Sequence, residues 1–389
     1  MKMKQVWALA AAAALLVMPL SGCSADPADG GNGSGTVKIG VMGPKTGSLS
    51  QYGQAVLNAV EIAKKEINDN GGILGGKMIE TIVEDEKGDV TEAINVYNKL
   101  VGSDNVVAIL GDVTSAPSKA VAQKAAVDKI PMITASGTDA DITKAGENVF
   151  RTCFIDPYQG QLMASYAAKK LNAKTAAILY DSGDSYSTGI ADAFEAAAKE
   201  LGMTVTNKLG YASKSTDFNA QLTQLKTSNP DVVMLPVYYN DVMLILKQAK
   251  QQGLTCKFLG ADGWDGVEPL LEKDPSLNDM VQNAYFCSQY SAVSDDQDLQ
   301  NFLKTYKDTY GVDANMFAVL GYDTMHILAQ AIDKAGSTDS DKIVAALKET
   351  NYTGLTGTTV FDEERNPVRE AIITTFENGK YKVLEPYKA

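Results

Sequence analysis

Histidine and cysteine are scarce in this chain of 389 residues. It has one histidine, His326, and four cysteines. Three of them follow Cys23, and an odd number gives no disulfide framework. With no spaced cluster of cysteine and histidine there is no zinc motif, and no serine–histidine–acid set has support. We therefore predict no metal, no cofactor and no catalytic residue.

The three later cysteines leave two arrangements open. Cys256 and Cys287 both lie in strand-like stretches of the same segment, so they could pair with each other. In the arrangement that we favour, these two and Cys153 are all buried free thiols, because an isolated pair does not make a disulfide scaffold.

Basic runs are also missing. The chain has 35 Lys and Arg against 48 Asp and Glu, which gives a formal net charge of −13. Removing residues 1–22, which hold two lysines, takes the charge to −13 − 2 = −15. An acidic chain without a basic patch lacks the electrostatic footprint of a nucleic-acid-binding protein, so we exclude nucleic acid as a partner.

One apolar run stands out, from Val6 to Leu20, and it follows Lys2 and Lys4. A basic start and a short hydrophobic core are typical of a secretory signal, and the run is short for a membrane-spanning helix. Its end, Leu-Ser-Gly-Cys, resembles the bacterial lipobox, which implies that Cys23 is lipidated and becomes the first mature residue. The alternative is a plain signal peptide with an incidental cysteine.

Residues 23–36 are rich in Gly, Ser and Asp, which is typical of a flexible tether. We therefore predict a lipoprotein signal peptide over residues 1–22 and a tether over 23–36. The protein is expected to be exported and lipid-anchored at the outer face of the cytoplasmic membrane, or in the periplasm.

From Val37 onward, strand-like and helix-like stretches alternate, and the pattern restarts after about residue 150. Such alternation indicates βαβ crossovers and parallel sheets covered on both faces. We predict an α/β fold with two doubly wound parallel-sheet lobes joined by a multi-crossing hinge. Lobe I comprises residues 37–154 and 288–362, and lobe II comprises 155–287 and 363–389. The long helices after residue 297 are expected to pack on lobe I.

The stretch from Val106 to Lys119 combines a buried strand with the start of a helix. Val106–Leu110 is an unbroken apolar run, which suits a strand covered on both faces. Ser115 stands where an N-cap belongs, and Pro117 suits the first helical turn. Free N–H groups, hydroxyls and a positive helix end then point at one place, of a size suited to a carboxylate. The alternative is a cap that only stabilises the helix.

Polar residues follow several predicted strands, at the sheet edge where open α/β sheets bind ligands. The first half of the chain offers hydroxyl groups and helix starts at these positions. The second half offers tyrosines and one carboxylate, Asp262. This asymmetry suits a zwitterion, with its carboxylate on the first half and its ammonium near Asp262.

Six short motifs resemble the leucine/isoleucine/valine-binding proteins, which are type I periplasmic binding proteins that deliver amino acids to ABC transporters. The likeness covers nearly the whole mature chain in the same order. The motifs are Lys38–Val41 with Gln51–Gly53, Ile67–Ile73, Ser136–Thr138, Val149–Thr152 and Asp362–Glu363.

The resemblance implies a role for particular residues. Ser115 and Thr138, with backbone groups of Val113 and Ser136, would hold the α-carboxylate. Asp262 stands where the family has a glutamate for the ammonium group. The full set of candidate ligand-binding residues is Tyr52, Val113, Thr114, Ser115, Ser136, Gly137, Thr138, Tyr186, Tyr238, Asp262, Trp264 and Phe317.

The sequence departs from the family pattern in four places. Lys87 and Thr114 stand where some members have the cysteines of a first-lobe disulfide. Asp262 is one methylene shorter than the family's glutamate, so the ammonium must sit deeper or be met through water. Trp264 adds a flat surface beside it, and Thr114 makes the pocket wall more polar. These changes weaken the expectation of strict aliphatic specificity.

We therefore expect a monomeric solute-binding lipoprotein that captures a neutral amino acid, a branched-chain one if the family pattern holds, for the permease subunits of an ABC importer. It contacts the membrane through its lipid alone. The alternatives are a sensor subunit that signals to a receptor, a binder of another small carboxylate or amide, and an exported α/β enzyme. A phosphate loop at Gly43–Thr46 is disfavoured, because Pro44 replaces the glycine required before the lysine.

Overall fold

The computed structural model describes residues 35–388. The predicted signal peptide and Cys23 lie outside the described residues. Within residues 35–388, no helix combines the length and apolar character needed to cross a membrane. Thr36, predicted as the last residue of the tether, is instead the first residue of strand β1 (Thr36–Gly43).

The first part of the chain forms a parallel sheet of five strands, in the order β2-β1-β3-β4-β5. Its central strand β3 is apolar and buried along its whole length, as a strand covered by helices on both faces should be. The elements after β1 are α1 (Ser50–Asp69), β2 (Met78–Asp85), α2 (Val90–Gly102), β3 (Ala108–Leu110), α3 (Ser115–Asp128), β4 (Met132–Thr134), α4 (Asp141–Lys144) and β5 (Val149–Arg151).

The alternation then restarts and builds a second sheet. Its first five strands are parallel to one another, which confirms the predicted α/β class. The elements of this part are α5 (Asp156–Lys169), β6 (Thr175–Asp181), α6 (Ser185–Glu200), β7 (Thr204–Tyr211), α7 (Asn219–Ser228), β8 (Val232–Met234), α8 (Tyr239–Gln252), β9 (Lys257–Gly260), α9 (Glu268–Lys273), α10 (Asn278–Val281) and β10 (Tyr285–Ser288).

The last part of the chain contributes to both halves. Two of its strands extend the second sheet to the order β14-β13-β10-β9-β8-β6-β7, and both run antiparallel to their neighbours. Its elements are α11 (Gln297–Tyr310), α12 (Met316–Ala335), α13 (Ser340–Lys348), β11 (Asn351–Gly354), β12 (Gly357–Val360), β13 (Ala371–Glu377) and β14 (Lys380–Tyr387).

The helices α11 and α12 pack against α1, on the first sheet, as the sequence predicted. The Tyr310 hydroxyl donates to the Asn58 carbonyl at 3.0 Å, and the Tyr322 hydroxyl hydrogen-bonds the Glu66 carboxylate. His326 also lies on α12, half-buried, with Nε2 3.6 Å from a Glu66 oxygen. These contacts fix the C-terminal helices on the first half of the molecule.

The chain passes between the two halves three times, after β5, after β10 and after β12. The three connecting segments are hydrogen-bonded to one another. The Phe154 N–H donates to Gln289 Oε1 at 2.9 Å, and Arg369 Nε donates to the Thr152 carbonyl at 3.2 Å. Three adjacent segments make the multi-crossing hinge that the sequence predicted.

Candidate ligand-binding site

A small cavity of about 10 Å³ lies between the carboxyl ends of the two sheets. Its wall comes from loops that follow β3 and β4 of the first sheet and β8 and β9 of the second, and from the starts of α3, α6 and α12. The lining residues are Val113, Thr114, Ser115, Ser136, Thr138, Tyr186, Tyr238, Asp262, Gly263 and Phe317.

The start of α3 forms one side of this cavity. Ser115, predicted as the N-cap, is instead the first residue of the helix, and Thr114 is the N-cap. The Ser115 hydroxyl does not cap the helix. It binds the loop after β4, where its Oγ accepts the backbone N–H groups of Thr138 and Asp139, each at 3.2 Å. Thr114 makes no side-chain capping bond. The start of α3 therefore faces the cavity without a side-chain cap of its own.

The loop after β4 is held rigidly beside this helix start. The Ser136 hydroxyl donates to the Val113 carbonyl at 2.7 Å, and Thr134 Oγ1 accepts the Gly137 N–H at 2.9 Å. The buried Arg151 guanidinium donates to the Gly137 carbonyl at 2.8 Å. Thr138 Oγ1 lies 3.2 Å from Ser115 Oγ. The predicted hydroxyls are thus brought together, with Gly137 in a supporting position behind them.

Asp262 forms the opposite side. It is 2% exposed, and its Oδ1 accepts a hydrogen bond from the Tyr186 hydroxyl at 2.8 Å. The same hydroxyl accepts the Gly263 N–H at 2.9 Å, and the Tyr186 ring stacks on Tyr238 with centroids 4.7 Å apart. Burial raises the pKa of Asp262 to about 6. A cationic group placed here would favour the charged carboxylate.

An aromatic wall closes the cavity between these two sides. Phe317, at the start of α12, stacks on Tyr52 of α1 with ring centroids 4.1 Å apart. The Tyr52 hydroxyl donates to the Gly263 carbonyl and accepts the Tyr239 N–H at 3.3 Å. Tyr52 thus stands behind Phe317 and joins the first half of the molecule to the second.

Other contacts also span the cleft. The Tyr239 hydroxyl donates to the Ser48 carbonyl at 2.5 Å, and the Asn240 amide reaches the same oxygen. Asp265 Oδ2 accepts the Met316 N–H at 2.7 Å. Since the two halves are hydrogen-bonded on either side of the cavity, the cleft is closed.

Trp264 does not lie where the sequence suggested. Its side chain is fully buried, packs near Phe286 and Phe376, and donates through Nε1 to the Leu235 carbonyl at 2.9 Å. The reason is local: residues 262–264 form a single 3₁₀ turn, so Asp262 and Trp264 point in different directions. We therefore correct the prediction that Trp264 offers its ring beside Asp262.

Two buried polar residues behind the cavity were missed. Asp156 and Gln159, in the first turn of α5, are 1% and 0% exposed. Gln159 Oε1 accepts the Asp262 N–H at 2.9 Å. The sequence did hold a signal for them: an acid and an amide three residues apart, at the start of the first helix after the chain crosses to the second sheet.

A pair of buried carboxyl groups, Glu86 and Asp112, was also missed. Both side chains are 0% exposed and lie beside the loop that carries Val113, close enough for their charges to interact. Burial, with Asp112 close by, raises the pKa of Glu86 to about 9, so at neutral pH Glu86 is the partner that holds a proton. The pair links the ends of β2 and β3, near the Lys87 and Thr114 positions where some relatives were expected to have a disulfide.

Two sequence alternatives can be resolved at this point. Cys153, Cys256 and Cys287 are all free thiols, although Cys256 is half-buried, not buried. The Gly43–Thr46 loop wraps around a carboxylate: Asp85 Oδ1 accepts the N–H groups of Lys45 and Thr46 at 2.9 and 3.2 Å. An internal anion in that loop leaves no place for a phosphate.

Comparison with known proteins gives a consistent result. The leucine-, isoleucine-, valine-, threonine-, and alanine-binding protein of Pseudomonas aeruginosa is 29% identical over 330 residues, which cover 85% of this chain and 86% of that protein. The Leu/Ile/Val-binding protein BraC3 of Rhizobium johnstonii is 31% identical over 316 residues, or 80% of this chain and 83% of that protein.

Two crystal structures have the same fold. One is a leucine-binding protein LivK from Thermotoga maritima, with 33% identity and a TM-score of 0.84 over 90% of this chain and 99% of that chain. The other is LivJ from Streptococcus pneumoniae in complex with isoleucine, with the same identity and TM-score over 91% and 100%. The family model described as periplasmic binding protein matches residues 36–380. This chain therefore belongs to the periplasmic binding protein family, whose members bind solutes and are not enzymes.

Proposed function

We propose that this protein captures a neutral amino acid, preferably a branched-chain one, and delivers it to an ABC importer. The observation that carries the proposal is the opposition of two half-sites across one cavity. The uncapped start of α3 with Ser115 and Thr138 suits a carboxylate, and Asp262 with Tyr186 suits an ammonium group. The names of relatives at 29 to 33% identity support the same ligand class.

The side chain of the ligand would lie against Phe317 and Tyr238, with the Thr114 hydroxyl nearby. Aromatic rings offer apolar contact area to an aliphatic chain, while Thr114 makes the wall polar at one point. We therefore expect the protein to bind small polar amino acids as well as leucine, isoleucine and valine.

In the mechanism that we propose, the ligand binds first to the α3 side and the halves then close over it. The two lobes of this mechanism would be residues 37–154 with 288–362, and residues 155–287 with 363–389. The two sheets support this division, although Ser288, the last residue of β10, falls in the first range. Closure is favoured only as far as the ligand binds the closed form better than the open form. Contacts such as Tyr239 to Ser48 would belong to the closed form.

Several parts of the proposal concern the protein's setting. We propose export, removal of residues 1–22 and lipidation of Cys23, which would place a monomer at the outer face of the cytoplasmic membrane. The permease subunits of the importer would recognise the closed form. The lipobox-like Leu-Ser-Gly-Cys and the tether-like composition of residues 24–36 support this arrangement.

The first test is calorimetric titration of residues 24–389 with each common amino acid, together with the melting temperature. A ligand bound only by the folded state must raise its stability. We expect saturable binding and a higher melting temperature for a few neutral amino acids. The complete absence of both effects for every amino acid would refute the proposal.

The carboxylate half-site is tested by a double variant, Ser115→Ala with Thr138→Val. Loss of two hydrogen bonds to a charged group, each worth about 1.5–3 kcal/mol, should weaken binding at least about 100-fold. The matched control is Ser165→Ala with Thr375→Val, which removes two buried hydroxyls of the second half, away from the cavity. Equal affinity in the two double variants would rule out the carboxylate assignment.

The ammonium half-site is tested by Asp262→Asn. This change should weaken binding of leucine far more than binding of 4-methylpentanoate, the same acid without its amino group. Equal losses would show that Asp262 is structural. Benzoate serves as a further probe, because wild-type binding as tight as that of leucine would contradict a zwitterion site.

A further inference from the structure

A chain of hydrogen bonds joins the two half-sites behind the cavity. On the first-sheet side, Ser115 Oγ lies 3.2 Å from Thr138 Oγ1. The Thr138 carbonyl accepts the Asp156 N–H at 3.0 Å, and the Thr138 side chain lies beside the Asp156 carboxyl group. The carboxylate half-site is thus tied to the first residue of α5.

The chain continues through Gln159 to the other side. Gln159 Nε2 donates to Asp156 Oδ1 at 3.5 Å, and Oε1 accepts the Asp262 N–H at 2.9 Å. The Cys287 thiol also donates to Oε1, at 3.3 Å. Because a backbone N–H can only donate, these partners determine which end of the amide faces Asp262.

Neither α5 residue lines the cavity, so neither contacts a ligand directly. Both are held on one helical turn, since residues three apart lie on the same face. Asp262 is the first residue of the 3₁₀ turn, so the bond from its N–H to Gln159 holds the start of that turn. The position of the Asp262 carboxylate relative to Thr138 therefore depends on the first turn of α5.

We infer that Asp156 and Gln159 are positioning residues that set the separation between the carboxylate and ammonium half-sites, and so select α-amino acids over β-amino acids. This inference rests on the proposed function. A β-amino acid carries one more methylene between its charged groups. In a site of fixed span, it can satisfy Ser115 and Thr138 or Asp262, but not all three at full strength.

Asp156 is suited to this role because it adds no strong charge to the half-site. Its burial, and the neighbouring Asp262, raise the pKa of Asp156 well above the usual range. A neutral carboxyl group can bridge Thr138 and Gln159 without repelling the ligand's carboxylate. The conservative change Asp156→Asn should therefore preserve the α-over-β preference, whereas Asp156→Leu should not.

The experiment compares wild type, Gln159→Met and Gln289→Met by calorimetric titration. The control is matched, because Gln289 is also buried and accepts a backbone N–H, that of Phe154, through Oε1 at 2.9 Å. The probes are L-leucine with β-leucine, and L-alanine with β-alanine. The melting temperature of each variant is measured alongside.

For wild type we expect the α form to bind at least about 100-fold more tightly than the β form, as for a site built around fixed polar partners. Gln159→Met should reduce this ratio by about tenfold or more, the effect of losing one such partner. Gln289→Met should leave the ratio unchanged, even with a similar loss of melting temperature. Gln159→Asn has a side chain too short to reach both partners, so it should reduce the ratio as Gln159→Met does. Because it keeps a polar amide, it replaces the methionine variant in the experiment if that variant does not fold.

Three results would overturn the inference. If Gln159 variants bind both forms more weakly by the same factor, Gln159 is only structural. If wild type binds α- and β-amino acids equally well, the span is not selective, although the proposed function survives. If wild type binds no α-amino acid, the proposed function fails and this inference fails with it.

Discussion

Asp265 Oδ2 accepts a hydrogen bond from the Met316 N–H at 2.7 Å. Asp265 follows β9 of the second sheet, whereas Met316 is the first residue of α12, which packs on the first half. The carboxylate therefore meets the positive end of a 20-residue helix across the cleft. The contact joins the two halves, so we expect it to contribute to closure.

Replacing Asp265 by Asn should weaken ligand binding. A carboxylate at a helix N-terminus in a partly buried setting contributes about 1–2 kcal/mol, so we expect a loss of about 5- to 30-fold in affinity for leucine. Asp339→Asn is the control, because Asp339 caps α13 through the Lys342 N–H and lies outside the cleft. Titration of both variants checks this, and an equal effect on affinity would contradict a closure role.

Ligand affinity should fall as the pH is lowered. The ammonium group needs Asp262 charged, and the pKa of Asp262 is raised to about 6 in the absence of ligand. Protonation then competes with binding, so affinity at pH 5 should be about tenfold lower than at pH 8. Titrations in buffers of different ionisation enthalpy should also detect proton release on binding near pH 6. An affinity that does not change between pH 5 and 8 would contradict this assignment.

The stability of the ligand-free protein, unlike its ligand affinity, should rise as the pH is lowered. Burial raises the pKa of Asp262 to about 6 and that of Asp265 to about 7, against about 3.9 in an unfolded chain. Between these values the folded state holds more protons, so stability is highest at the acidic end and is lost as the pH rises through 6 and 7. The melting temperature should therefore be higher at pH 5.5 than at pH 7.5, and Asp262→Asn with Asp265→Asn should reduce the difference.

The Glu86–Asp112 pair predicts a contrast between two substitutions. Glu86→Gln keeps a donor for the Asp112 carboxylate, so its free energy of unfolding at pH 7 should stay within about 1 kcal/mol of wild type. Glu86→Leu leaves a buried carboxylate without its partner and should cost about 3–5 kcal/mol. Urea unfolding of both variants tests this. Similar losses in the two would show that size, not the proton on Glu86, matters at this position.

Tyr52→Phe tests the hydroxyl that joins the halves through Gly263. Loss of the two hydrogen bonds to Gly263 and Tyr239, each worth about 1 kcal/mol, should lower leucine affinity about 5- to 30-fold with little change in melting temperature. Tyr97→Phe is the matched control: Tyr97 is equally buried, and its hydroxyl donates to Asp128 within the first half at 3.1 Å. A fall in affinity for Tyr97→Phe as large as that for Tyr52→Phe would contradict a specific role across the cleft.

The two parallel sheets and the placement of the hydroxyls could be predicted from the sequence, because apolar strands and helix starts alternate along the chain. Ser115, Thr138 and Asp262 follow strands, and parallel strands end at one edge of a sheet. The exact cap was less accessible, because Ser115 is the better N-cap residue type, but its hydroxyl is used by the backbone of the Thr138 loop and the helix begins one residue earlier than expected.

The remaining site residues depend on contacts that no local pattern records. Gln159 meets Asp262, which is 103 positions away in the sequence, only after two sheets have been placed side by side. Trp264 was misplaced because the direction of a side chain changes at every step of a 3₁₀ turn. The first residue was missed because its partner is distant in the sequence. The second was misplaced because the direction of its side chain depends on the local backbone turn.

The place of β13 and β14 in the second sheet affects how the chain folds during synthesis. A ribosome completes β6 to β10 well before Ala371–Tyr387, yet β13 pairs directly with β10. Until those residues emerge, β10 presents an unpaired edge and the sheet is two strands short. The second sheet can therefore be completed only after the chain has been made as far as Tyr387, whereas the five strands of the first sheet are available after Arg151.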